Sequence, residues 1–134
     1  MQVQPYLNFN GRCEEALAFY KQAVGAETEM EMRWKDAPDP SMCSDANRDK
    51  IMHAAVRIGD TVIFASDGRC EGTPKFDGIT LNLSTAEAAE AERLFASLGA
   101  GGQVMMPMSE TFFAKRFGML TDKFGVAWMV MAPK

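Results

Sequence analysis

An α+β fold built from two repeated modules is the class this sequence predicts, and three observations predict it. Leu7-Asn8-Phe9 recurs as Leu81-Asn82-Leu83, and Gly25-Ala26 recurs as Gly99-Ala100, both 74 positions apart. In each copy, a short run alternating between apolar and polar residues leads into an alanine-rich stretch with helical spacing that stops at the Gly-Ala pair. Further alternating runs follow each helix, so the repeated unit is a strand, a helix and a small sheet. Two modules, about 1–67 and 78–134, form one domain, a size at which a chain buries its own core.

The elements follow in order. Val3, Pro5, Leu7 and Phe9 alternate with Gln4, Tyr6 and Asn8, which predicts a strand over 3–9 with one apolar and one polar face. After the Asn10-Gly11 turn, Ala16, Leu17, Phe19, Tyr20, Ala23 and Val24 keep helical spacing from Cys13 to Gly25, a residue that accepts the positive φ of a helix C-terminus. Glu27 to Trp34 alternates as a half-exposed strand, and Lys35 to Asp49 is a surface loop. Ile51–Ile58 and Thr61–Asp67 form a hairpin around Gly59-Asp60, and Gly68 to Asp77 is a polar connector. The second copy opens with the strand of Ile79, Leu81 and Leu83. Ser84 with Glu87 reads as a capping box for a helix running to Leu98. Met105–Phe113, Arg116–Asp122 and Val126–Met131 bring the total to about eight strands and two helices.

Composition narrows the partners. A net charge of −4, a pI near 5.0 and no run of Lys and Arg argue against nucleic acid. No apolar run nears the roughly 18 residues that span a bilayer, and Met-Gln-Val-Gln-Pro-Tyr does not open a secretory leader. A soluble cytoplasmic protein without membrane partners is the expectation. Cys13, Cys43 and Cys70 are odd in number and lack CxxC spacing, which predicts free thiols rather than disulfides or a zinc site.

A family resemblance is carried by Pro5-Tyr6-Leu7-Asn8-Phe9-Asn10-Gly11, Ala16-Leu17-Ala18-Phe19-Tyr20, Gly25-Ala26-Glu27, His53-Ala54-Ala55-Val56-Arg57-Ile58 and Ala65-Ser66-Asp67. More specific are Glu110-Thr111-Phe112-Phe113-Ala114 through Phe117-Gly118, and Thr121-Asp122-Lys123-Phe124-Gly125-Val126-Ala127-Trp128-Met129. Through these the whole chain resembles the vicinal oxygen chelate superfamily of glyoxalase I, bleomycin-resistance proteins and extradiol dioxygenases. Within it, the chain resembles the PhnB-like branch, also called 3-demethylubiquinone methyltransferase-like. The resemblance implies two βαβββ modules whose curled sheets wrap a cavity, with the helices on the convex side, and it implies a homodimer. Met108 and Phe113 stand where relatives of this branch often carry tryptophan, so aromatic stacking there is weaker.

The resemblance also implies where metal-using relatives keep four ligands, and these places fall near Gln4, Phe64, Gly78 and Met129. Only Gln4 offers an oxygen, and one neutral amide does not complete a divalent ion's shell, so neither metal nor cofactor is expected. The concave face that the resemblance implies gathers Tyr6, Asn8, His53, Arg57, Phe64, Thr80 and Asn82, a few directional polar groups among apolar walls, as a small-molecule site has. His53, the single histidine, suits either a hydrogen-bonded strand position near Arg57 or a ligand contact or general acid/base. Glu110, just before two phenylalanines, reads either as a solvated carboxylate or as part of a lip over the site. Asp67 is a turn former before it is a base, and Trp34, Trp128 and the strand methionines default to core packing. No glycine-rich strand-to-helix turn is present to cradle a nucleotide-like cofactor, against a methyltransferase activity. The leading expectation is a metal-free small-molecule-binding protein. The alternative is a glyoxalase- or dioxygenase-like enzyme on a small carbonyl, phosphonate or aromatic substrate, with His53 or Glu110 as acid/base and a metal held by ligands outside the four places.

Overall fold

The computed structural model describes residues 1–38, 44–68 and 72–134. The chain divides into two compact units, Met1–Pro74 and Lys75–Lys134. The first contains β1 (Tyr6–Asn8), α1 (Cys13–Val24), β2 (Glu27–Arg33), β3 (Ile51–Ile58) and β4 (Thr61–Ser66). The second contains β5 (Thr80–Ser84), α2 (Ala88–Gly99), β6 (Gln103–Ser109), β7 (Ala114–Thr121) and β8 (Ala127–Pro133). Each unit is a four-stranded sheet, in the order β1-β4-β3-β2 for sheet A and β5-β8-β7-β6 for sheet B. In each, the strand before the helix lies parallel to the last strand and the other pairs are antiparallel. The repeat read from Leu7-Asn8-Phe9 and Leu81-Asn82-Leu83 is thus a repeat of topology.

Alternation along the strands gives each sheet one covered and one open face. In sheet A, Leu7, Phe9, Ala54, Val56, Ile63 and Ala65 are buried with Ala16, Leu17, Tyr20 and Ala23 of α1. In sheet B, Trp128, Val130, Ala132 and Leu120 are buried with Ala91, Leu94 and Leu98 of α2. Among the described residues no helix is long and apolar enough to cross a membrane.

Helix α1 ends as its sequence predicts. Gly25 is left-handed (φ 71°), its N–H donates to Lys21 O, and the Ala26 N–H reaches Tyr20 O at 3.2 Å. The second Gly-Ala pair behaves differently: Gly99 is the last helical residue of α2, and Gly101 carries the positive φ of 77°. The start of α1 has no local side-chain cap. Its cap comes from Asp67, 1% exposed, whose Oδ1 accepts the N–H of Gly11 (2.7 Å) and Cys13 (2.8 Å) while Oδ2 accepts that of Ile51 (2.9 Å). Asp67 is therefore no turn former; it clamps the helix start and β3 onto the end of β4. Unit 2 has its own clamp, where Asp122 accepts the N–H groups of Phe124 and Val126 and the indole N–H of Trp128 at 2.8, 3.1 and 2.9 Å.

Several boundaries depart from the sequence reading. Strand β1 begins at Tyr6 and leaves Val3 exposed, because Pro5 has no N–H to continue the ladder. The Ser84–Glu87 capping box does not form: Ser84 is still in β5, paired with Met131, and its Oγ accepts from Asn82. Strand β6 stops at Ser109, since Thr111 Oγ1 takes the N–H groups of Phe113 and Ala114 and turns the chain. Trp34 leaves the strand for a single 3-10 turn, Trp34–Asp36, yet its indole is buried and donates to Gly68 O at 2.8 Å. The methionines are not all core: Met30, Met105 and Met106 are exposed because they lie on the edge strands β2 and β6. Cys13 is a buried free thiol, and Cys43 and Cys70 lie outside the described residues.

Candidate functional site

The open face of sheet A carries a connected polar-aromatic group. Tyr6 on β1, Phe64 on β4 and His53 on β3 reach it from three adjacent strands. The Tyr6 hydroxyl lies 2.8 Å from His53 Nδ1, and the ring centroids are 5.4 Å (Tyr6–His53), 5.9 Å (Tyr6–Phe64) and 5.2 Å (His53–Phe64) apart. The three rings are mutually tilted, a favourable aromatic arrangement, and Tyr6 remains 55% exposed. Tyr6 is thus exposed and yet held in place by a hydrogen bond and two ring contacts.

Other predicted residues on this unit have structural partners. Arg57 is paired with Glu29 at 2.5 Å, with both side chains more than one-third exposed. Asn8 Oδ1 accepts the Asn10 N–H at 3.0 Å, and Asn8 packs so near Gly68 that a Cβ there would sit 2.7 Å from its Nδ2. Ser66 Oγ donates to Met52 O and accepts the Gly68 N–H, which fixes the backbone beside Asn8. Sequence reasoning missed Glu29, Met30 and Met32 as members of this face. The alternation over 27–34 placed them on a strand, but only the pairing of Met32 with His53 and Met30 with Ala55 puts those two on the open side.

The predicted residues of unit 2 are Thr80, Asn82 and Glu110. Thr80 and Asn82 are exposed on the open face of β5, opposite Ala127 and Met129 of β8. Asn82 Nδ2 donates to Ser84 Oγ at 3.0 Å. Glu110 is exposed beyond the end of β6 and pairs with Lys134 at 3.3 Å, a solvated ion pair. The open face continues through Met129, Met119 and Met106, which are register neighbours on β8, β7 and β6.

The four family ligand places do not fit a divalent ion. The Gln4 amide donates to Val62 O at 2.8 Å, Phe64 belongs to the aromatic group, Gly78 has no side chain and Met129 offers a neutral thioether. Among the described residues no three His, Cys, Asp or Glu side chains converge. Nor do the strand-to-helix turns form a glycine-rich cradle. The first holds only Gly11, whose N–H is given to Asp67, and the second holds no glycine.

The family model for 3-demethylubiquinone-9 3-methyltransferase matches residues 1–131. The chain belongs to this family. A curated relative, protein YjdN of Escherichia coli, is 37% identical and aligns over 100% of this chain and 97% of its own length. The chain is similar to the solved structure of protein PA1353 from Pseudomonas aeruginosa, with 42% identity, a TM-score of 0.88 and coverage of 99% and 98% of the two chains. It is also similar to a Bacillus cereus PhnB protein, described as a putative 3-demethylubiquinone-9 3-methyltransferase, with 25% identity, a TM-score of 0.81 and coverage of 98% and 99%. A glyoxylase/bleomycin resistance protein/dioxygenase domain from Frankia, 17% identical at a TM-score of 0.69 over 100% and 98% of the chains, shares the fold. The PhnB-like assignment and the α+β class read from the motifs therefore stand.

Proposed function

We propose that this PhnB-like protein binds a small organic molecule without a metal ion, on the open face of sheet A against Tyr6, His53 and Phe64. The observation that carries the reading is the Tyr6–His53 hydrogen bond set among three rings, a preorganised and solvent-reaching surface that core packing does not require. A single neutral amide oxygen, that of Gln4, with no carboxylate, imidazole or thiolate at the four family ligand places supports a metal-free mode. A homodimer acting in the cytoplasm completes the proposal. Supporting it are the exposed Val104, Met105 and Met106 on edge strand β6 and the odd number of cysteines, with Cys13 buried and free. Native mass spectrometry of untagged protein purified without chelator tests the ligand, the metal-free state and the dimer. The expected spectrum is a dimer carrying an organic adduct that is lost in Tyr6→Phe/His53→Gln. One divalent ion per chain would overturn the metal-free reading, and an adduct unaffected by the double substitution would move the site elsewhere.

The same hydrogen bond supports a second reading as an enzyme. It orients the imidazole and leaves Nε2 without a hydrogen bond among the described residues, as a general acid or base requires. Turnover by the wild type that falls at least about a hundredfold in His53→Gln with KM little changed would establish it, given the usual contribution of such catalysis. Glu110, tied to Lys134, is the weaker acid/base candidate.

A further inference from the structure

The centre of sheet A's open face has a small residue as its floor. Ala55 on β3 is paired with Phe64 of β4 on one side and with Met30 of β2 on the other. Its same-face neighbours along β3 are His53 and Arg57. Four long side chains thus surround one half-buried methyl group. Strand geometry sets about 13 Å between the Cα atoms of His53 and Arg57, and about 9.5 Å between strands β4 and β2 across β3.

This frame is built rather than accidental. Thr28 is paired with Val56 and Met30 with Ala55, so Glu29 is one extra residue in β2. The bulge shifts the phase of the strand and turns Met30 to the open face, the kind of re-aiming for which bulges are used. The bulged Glu29 in turn holds the Arg57 guanidinium at 2.5 Å. Tyr6 occupies His53 Nδ1, which leaves Nε2, two positions along β3 from Ala55, without a hydrogen bond among the described residues. Sheet B has the same topology but no such depression, because Met119 fills the middle of its row between Met129 and Met106.

We propose that this depression takes one planar six-membered ring. The ring lies over the Ala55 methyl between the Phe64 ring and the Met30 thioether, with a polar substituent hydrogen-bonded to His53 Nε2, and Ala55 is the residue that sets ligand shape. The proposal rests on the small-molecule reading of this face. A flat ring makes aromatic contact with Phe64 and sulfur contact with Met30 that a puckered ring of equal size loses. Nε2 serves a donor or an acceptor according to the tautomer that Tyr6 selects.

The test is an amide-resolved NMR titration of the full chain with benzamide and with cyclohexanecarboxamide, a pair that shares its polar group and differs in planarity. Benzamide is expected to shift Ala55 and His53 and to bind about fivefold more tightly than its saturated counterpart, the scale of one aromatic contact. Ala55→Phe fills the depression and weakens benzamide about tenfold or more, whereas Ala55→Gly stays within about threefold. Should Ala55→Phe not fold, Ala55→Val changes affinity in the same direction. Equal affinity for the two amides, or an Ala55→Phe affinity equal to wild type with His53 still shifting, overturns the ring slot and leaves the small-molecule reading intact. No shift at Tyr6, His53 or Phe64 with either amide, up to its solubility, overturns both.

Discussion

Asp67→Asn is the substitution that most directly probes how the scaffold of the candidate site is held. The Asp67 carboxylate is 1% exposed and accepts three backbone N–H groups, two on Oδ1 and one on Oδ2. Asparagine keeps one oxygen for Gly11 and Cys13, now as a neutral acceptor about half as strong. Its NH2 takes the place of Oδ2 and meets the Ile51 N–H donor to donor, leaving that buried group unsatisfied at a cost of about 1–3 kcal/mol. Together these losses come to about 3 kcal/mol, and for 134 residues that lowers Tm by about 10 °C. Thermal unfolding followed by far-UV circular dichroism measures the drop, and hydrogen exchange locates it at the amides of Gly11, Cys13 and Ile51. Asp60→Asn, at the exposed hairpin turn, serves as the control and stays within about 0.5 kcal/mol of wild type. A Tm for Asp67→Asn within about 3 °C of wild type, or an unchanged Ile51 exchange rate, would refute the clamp.

Gly102→Ala destabilises unit 2 by at least about 2 kcal/mol in urea unfolding, since its Cβ would stand 2.2 Å from the rigid Thr121 carbonyl oxygen. Cys13 resists alkylation in the native protein and reacts on unfolding, as read by peptide mapping. Burial, with the Asp67 charge adding to it, pushes its thiol pKa up, so the reactive thiolate is not populated at neutral pH. Glu29→Ala lowers stability by no more than about 1 kcal/mol, because its ion pair with Arg57 is more than one-third exposed; a double-mutant cycle with Arg57→Ala measures the coupling. Asn82→Leu leaves Tm within about 2 °C in thermal unfolding, as an exposed strand position should.

The residues that read clearly in the sequence are those governed by local rules. Leu7 and Phe9 alternate with Tyr6 and Asn8, the apolar stripe of α1 stops at Gly25, and Gly59-Asp60 closes the β3–β4 hairpin, so element types and the twofold repeat are legible. The PhnB-like motifs followed from residue identity alone, and with them the expectation that Tyr6, His53 and Phe64 share a face. Less legible were the element ends. Ser84 resembles an N-cap but is held in β5 by its pairing with Met131, and Trp34 continues an alternation that the 3-10 turn breaks.

Backbone dihedral preference and apolar periodicity act within a few residues, so the set of elements, their order and their repetition follow from the chain's local pattern. Which side chains meet is settled only once distant strands pair. The Tyr6–His53 hydrogen bond joins residues 47 apart, and Asp67 caps a helix 54 positions away. The Glu29 bulge brings Met30 beside Ala55. Register and bulges are set by the pairing of distant strands, whose free energy depends on both partners at once, and no local pattern in either strand contains it.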